Sequence, residues 1–326
     1  MLTKRQNLLE TIKGGKPDRF VKQYEFMDII MEAPIYGFTC GPGMTAKDPW
    51  GVTIQWPEGQ PGPFPVHDEE HIVLKDVTEW KEYVKMPSLD FPDEAWQPAI
   101  DHAKAIDRNE VFAASFCAPG IFERLHYLMG MEDALMAFYE EPEALKELID
   151  YLTEYEIKFA DVIIEKLKPD ALFHHDDWGS SKSTFISPAM FEEFILPAYK
   201  KIYKHYKDKG IEIIVHHSDS YGETIVPCMI EMGMDIWQGC MSSNDVPAMI
   251  KKYGGQISFM GGLDNSSLDK EDWTPELMAQ HVEKVCQEGG KHYYIPSLIM
   301  GGPGSVFPGV YEAVDQEIDR MSKEMF

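Results

Sequence analysis

Basic residues are scarce in this chain. Lysine and arginine number 30 against 55 aspartates and glutamates, a formal charge of −25 over 326 residues. That balance speaks against a nucleic-acid partner, because phosphates need a basic footprint. It disfavours an anionic membrane surface for the same reason. Cysteine is sparse as well. Cys40, Cys117, Cys228, Cys240 and Cys286 are odd in number and make no CxxC pair. Neither a disulfide framework nor a zinc ribbon is expected, and a reducing cytoplasm fits better. No run approaches the roughly 18 apolar residues of a membrane helix. The opening "MLTKRQNLLETIKGGKPDRF" is amphipathic and has no apolar core of signal-peptide length. No GxGxxG follows a strand, so the phosphate fingerprint of a doubly wound sheet is missing.

What the chain does have is alternation of two kinds of segment. Short apolar, β-branched or aromatic runs predict strands at 21–26, 51–56, 111–116, 171–175, 211–217, 234–239, 256–261 and 292–297. Between most of them lie helical patterns with acidic, lysine-rich outer faces. The longest, 133–168, reads as two helices, with Pro142 opening the second. "SPAMFEEFILPAYKKIYKHYKDKG" starts on a Ser187 N-cap with Pro188 behind it and ends on Gly210. Eight strand–helix units predict an α/β fold, a (β/α)8 TIM barrel in a single domain over 1–326. An N-terminal helical extension precedes it, and the Pro-rich stretch at about 57–97 reads as an excursion between strands.

In a barrel, strand C-termini meet at one mouth, and several of these strands end in polar or aromatic groups. "IEIIVHH" runs into Ser218 and Asp219. Alternation puts His217 and Asp219 on one side and His216 on the other. Such a pair suits metal ligation or acid–base work, although a buried histidine bonded to its neighbour's carboxylate would look the same. "ALFHH" runs into Asp176, Asp177 and Trp178, of which one aspartate faces a pocket and the other orients it or holds a loop. His217, Asp219, Asp176 and Asp177 are therefore the candidate catalytic residues, with His217 and Asp219 the candidate ligands if a metal binds. Tyr24, Phe26, Trp178, Trp237, Gln238 and Asp264 are the candidate substrate-binding residues. The aromatics among them would equally serve a core. Cys117 and Cys240 read as small buried hydrophobes.

The run "HDDWGSSKSTFISPAMFEEFILPAYKKI" resembles the uroporphyrinogen decarboxylase superfamily, as do "GGLDNSSL", "YYIPSLIMGGPGSVFPGVYEAV" and "RQNLLETIKGGKPDR". The resemblance covers most of the chain in order and implies a (β/α)8 barrel. Decarboxylases of that family bind a tetrapyrrole octacarboxylate with an arginine-rich segment. The corresponding stretch here, "YEFMDIIMEAPIYGF", has no Arg or Lys, and "PSLIM" stands where those enzymes carry a late histidine. The corrinoid-dependent methyltransferase branch is the better match. Its thiol-methylating members hold zinc with a His-x-Cys pair and a later Cys. His217 falls on that His, Asp219 on the first Cys, and the later Cys falls near Leu298. The change implies a demethylating member, an O-demethylase component that passes a methyl group from a small methoxylated, aromatic donor to the Co(I) of a corrinoid. Because no Asp-x-His-x-x-Gly signature occurs, the cobalamin is expected on a separate corrinoid protein, with zinc as a further candidate cofactor. The alternatives are a decarboxylase of the uroporphyrinogen decarboxylase type and a non-catalytic tetrapyrrole- or corrinoid-binding protein. A homodimer is the assembly expected if the chain is not monomeric.

Overall fold

The computed structural model describes residues 1–37, 40–60, 62–299 and 303–326. Residues 300–302, within the segment resembling the family's last strand and helix, lie outside it. The strands in chain order are β1 (Met27–Ile29), β2 (Thr45–Lys47), β3 (Thr53–Gln55), β4 (Phe64–Pro65), β5 (Phe112–Cys117), β6 (Ala171–His175), β7 (Ile213–Ser220), β8 (Ile236–Cys240), β9 (Ser258–Gly262) and β10 (Tyr294–Ser297). Seven of them pair in the order β1-β5-β6-β7-β8-β9-β10, all parallel. The sheet rolls into the TIM-barrel fold around an interior that includes Ala114, Phe173, Val215, Ile236, Met260 and Ile295. Both faces of a parallel sheet are covered, so its strands read as nearly unbroken apolar runs. This is why six of the eight predicted strands are found almost where the sequence places them.

The other two differ. The stretch 51–56 stays out of the barrel and forms the middle strand of a separate antiparallel sheet, β2-β3-β4. Its approach is a tight turn. Asp48 Oδ1 accepts from the backbone of Trp50 and Val52, both at 2.9 Å, and Gly51 takes φ +85°. A two-strand reversal of this kind allows only antiparallel pairing, since a parallel neighbour needs a long crossover. The stretch 21–26 is mostly turn, and the strand begins at Met27. Gln23, buried and at φ +45°, causes this. Its amide oxygen accepts from Leu298 N at 3.1 Å and its nitrogen donates to Asp315 at 2.9 Å. The amide thus bridges the seam between the two ends of the sheet.

The N-terminal helix Lys4–Ile12 closes the base of the barrel. Its Arg5 lies over Phe112 at 4.0 Å, and Thr11 O accepts from Tyr293 N. The long helical stretch divides at Glu141 into Met131–Glu140 and Pro142–Leu167. Ser187 caps the following segment, accepting from Met190 N, with Pro188 next. No described helix is long and apolar enough to cross a membrane.

One buried carboxylate ties the sheet to its helices. Asp176, just past β6, accepts from the backbone of Phe122 (2.9 Å) and Glu123 (2.7 Å) at the start of helix Ile121–Met129. It also accepts from Trp178 Nε1 (2.8 Å) and Tyr199 Oη (2.5 Å). Burial and the neighbouring Glu123 charge push its pKa up to about 7, against the pull of these donors. Truncation would strand buried donors, at about 1–3 kcal/mol each. Asp176→Ala is expected to lower stability by about 3 kcal/mol or more in urea unfolding. A loss under about 1 kcal/mol would mean that the helix start is held by other contacts.

Candidate active site at the barrel mouth

The pairing of β6 with β7 aligns His174 with His216 and His175 with His217. Alternation then sends the two pairs to opposite faces. His174 and His216 enter the helix layer with ring centroids 5.4 Å apart. His175 and His217 turn inward at the mouth, stacked at 4.3 Å with 22° between their planes.

The tautomer of His217 follows from its neighbours. Gln238 Nε2 donates to Ile299 O at 2.9 Å, so Gln238 Oε1 faces His217. That oxygen accepts a hydrogen bond from His217 Nδ1. The Nδ1 therefore carries the hydrogen, and Nε2 presents its lone pair to the mouth. Two carboxylates lie in front of it: Asp219 Oδ1 at 3.6 Å and Asp177 Oδ1 at 3.8 Å. Asp219 N donates to Asp177 Oδ1 at 2.7 Å, which locks the two acids together. The β7–β8 register shifts beyond His217, and Gly239 takes φ +91° there. A Cβ on Gly239 would lie 2.6 Å from Ser218 O, so glycine is what lets the strand carry Asp219 into place.

Charge at the mouth is divided unequally. Burial opposes a charged His175, but Glu123, 2.8 Å from its Nδ1, together with Asp177 and Asp219 overrides this and raises its pKa to about 10. His217 moves the other way, to about 4, through burial and then the charge on His175. Burial, reinforced by Asp177, raises Asp219 well above the usual carboxylate range. Burial, with Asp219 next in weight, does the same to the Tyr24 phenol. Asp219 Oδ1 and Tyr24 Oη are both buried without a hydrogen-bond partner among the described residues. One ligating atom each from His175, Asp177 and His217 lies within 4.8 Å of the others. Nitrogen and oxygen donors in this number, with an orphaned carboxylate oxygen beside them, fit a borderline divalent cation such as zinc. The Glu123 and Gln238 contacts are the outer hydrogen bonds that orient metal-bound imidazoles.

Of the residues predicted from sequence, His217, Asp219, Asp177 and Gln238 come together here. Tyr24 joins them through Phe173, whose ring lies 6.2 Å from Tyr24 and 6.1 Å from His217. The others point elsewhere. Asp176 spends its oxygens on the helix start and acts on the mouth only through Glu123. Trp178 stacks on His216 at 3.9 Å, in the helix layer. Trp237 is fully buried in the same layer and donates to Ser218 O. Phe26 fills the barrel interior with Leu8 and Val21. Asp264 caps the short helix Asn265–Leu268, its oxygens taken by Ser266 and Ser267. Two mouth residues were not predicted. His175 was visible in "HHDD", and its inward direction follows once its strand is aligned with β7. Glu123 left only a faint trace, an acid in the apolar helix "IFERLHYLM".

A rolled parallel sheet with its ionisable groups gathered at the strand C-termini is the arrangement of TIM-barrel enzymes. The chain belongs to the uroporphyrinogen decarboxylase family, whose model, described as "Uroporphyrinogen decarboxylase (URO-D)", matches residues 32–314. A 173-residue stretch, 52% of the chain, is 24% identical to a uroporphyrinogen decarboxylase of Nocardia farcinica. That match spans 43% of the relative's own length. A methyltransferase from Methanosarcina mazei has a similar fold, with a TM-score of 0.67 at 14% identity over 98% of this chain and 99% of that one.

The division of charge can be read in metal-free protein by nitrogen NMR. His175 is expected to stay doubly protonated through pH 7 and to lose its proton only near pH 10. His217 is expected as the neutral Nδ1–H form down to about pH 4. A doubly protonated His217 at pH 7 would overturn the lone-pair assignment.

Proposed function

We propose that the chain moves a methyl group from a small methoxylated aromatic donor, an aryl methyl ether, to the Co(I) of a corrinoid carried by a separate protein. The observation that carries this reading is the His217 Nε2 lone pair set against two carboxylates at the mouth. That arrangement serves to hold a cation or proton at an oxygen. It does not serve to grip an octa-anion, since the groups that Asp177, Asp219 and Glu123 present there are acids and not cations. Family membership and the fold shared with a methyltransferase are compatible with it.

The demanding part of ether demethylation is departure of the oxygen, which leaves as an anion. A zinc-class ion held by His175, Asp177, His217 and Asp219 would supply Lewis acidity toward that oxygen, worth several kcal/mol. The protein's own part is to orient and to manage protons. Gln238 fixes the His217 tautomer, and Glu123 fixes the His175 ring. Without the ion, the Asp219 carboxyl, which burial raises well above the usual carboxylate range, and the Tyr24 phenol are the groups that can offer an O–H to the departing oxygen; with it, Asp219 is a ligand and that part falls to Tyr24. His217 has no Nε2 proton to give near neutral pH, so its role is that of ligand or acceptor. Phe173 and Phe116, stacked at 6.0 Å, add a flat apolar surface for an aromatic ring.

The test mixes purified chain with a reduced corrinoid protein and a panel of methoxylated aromatics, following Co(I) loss and methyl-Co(III) gain in the visible spectrum. His217→Ala and Asp219→Ala are each expected to slow transfer by about 10²-fold or more. The loss should shrink as the leaving phenolate becomes more stable, and donor binding should change less than rate. Variants that stay folded but lose rate equally across the donor series would remove the assignment. Turnover of uroporphyrinogen in place of methyl transfer would favour the decarboxylase instead.

A further inference from the structure

The outward face of the same strands carries a second cluster that the mouth chemistry does not use. Cys117 on β5 and His174 on β6 are register partners and point into the helix layer. Glu156, from the middle of helix Pro142–Leu167, meets them there, accepting from His174 Nε2 at 2.9 Å. One ligating atom from each of the three lies within 4.8 Å of the others, and all three residues are buried.

Two further observations point to an occupant. His174 is 0% exposed, and its Nδ1 has no hydrogen-bond partner among the described residues. A buried imidazole ordinarily engages both nitrogens. Beside the cluster lies a cavity of about 50 Å³, lined by Cys117, Glu156, Arg124, Tyr155, Trp50 and Phe159. That is room for a water molecule or two. Arg124 brings a positive charge to this cavity, but Asp48 at 2.5 Å matches it.

We propose that Cys117, Glu156 and His174 bind a divalent ion of the zinc class, with water from the cavity in its fourth position. The donor set decides the class. One thiolate, one imidazole and one carboxylate suit a borderline ion, whereas magnesium and calcium take oxygen alone. Binding replaces the thiol proton, which passes to solvent, with a metal–sulfur bond. Thiolate and carboxylate then neutralise the ion, so the filled site adds no net charge to the interior. A tetrahedral ion sets its donors roughly 3.5 Å apart. The three side chains therefore close on it by small rotations. Such an ion would pin helix Pro142–Leu167 to two barrel strands, and it is independent of the methyl-transfer reading.

Sulfur makes the site distinguishable from the mouth, whose candidate ligands His175, Asp177, His217 and Asp219 offer only nitrogen and oxygen. Chelator-stripped protein is loaded with one and then two equivalents of Co²⁺ without oxygen, and its spectrum is recorded. A thiolate-to-Co(II) charge-transfer band is expected in the near ultraviolet. It should vanish in Cys117→Ser and persist in His217→Ala. Glu156→Gln and His174→Gln should weaken Zn²⁺ in competition with a chromophoric chelator by about tenfold or more. Absence of the band in the unaltered chain at both ratios overturns the proposal, as does a band that survives Cys117→Ser. Should Cys117→Ser fail to fold, X-ray absorption of the zinc-loaded unaltered chain decides. A sulfur shell near about 2.3 Å supports the site, and a shell of nitrogen and oxygen alone overturns it.

Discussion

The register between β6 and β7 is the constraint on which the rest depends. Each strand carries two adjacent histidines, and the ladder sets them side by side. Because side chains alternate, one alignment commits one pair to the mouth and the other to the helix layer. A slip of β6 by one residue would turn its own pair over, bringing His174 to the mouth beside His217 and sending His175 into the helix layer. Contacts in the helix layer oppose such a slip. His216 donates from Nε2 to Asp176 O at 3.1 Å and accepts at Nδ1 from Tyr203, which also fixes its tautomer. Asp176 in turn holds the helix that delivers Glu123 to His175. The outer face is therefore what aligns the inner one.

Strands buried on both faces announce themselves as apolar runs, and the rolled sheet was legible for that reason. "GVTIQW" carries the same apolar pattern, but its pairing is decided by the Asp48–Gly51 turn before it. Pattern reports burial and says nothing about which neighbour a strand takes. Gln23 shows a similar limit. Nothing in "VKQYEF" marks an amide that must reach across 275 residues to Leu298.

The site divides along the same line. His217, Asp219 and Asp177 were legible because strand alternation and the strand end place them. Trp178, Trp237 and Asp176 sit at strand ends too, yet they face outward, and residue type alone does not separate an aromatic floor from a core. Glu123 was out of reach because its role is defined by a contact 52 residues away in sequence. Desolvation completes the site. It disfavours charge on His217 and Asp219, while Glu123 and Asp177 keep His175 charged in spite of it.

The seam at Gln23 carries a consequence for how the molecule yields to stress. A sheet whose two end strands form no ladder with each other among the described residues, and whose ends are bridged by a side-chain amide, behaves as an arc with a clasp. Local opening starts where few backbone bonds must break together, which is at β1 and β10. His217 and Asp219 ride on β7, the fourth of seven strands and the one farthest from either end. The stiffest stave of the barrel thus bears the groups that need fixed geometry, while compliance is confined to the clasp.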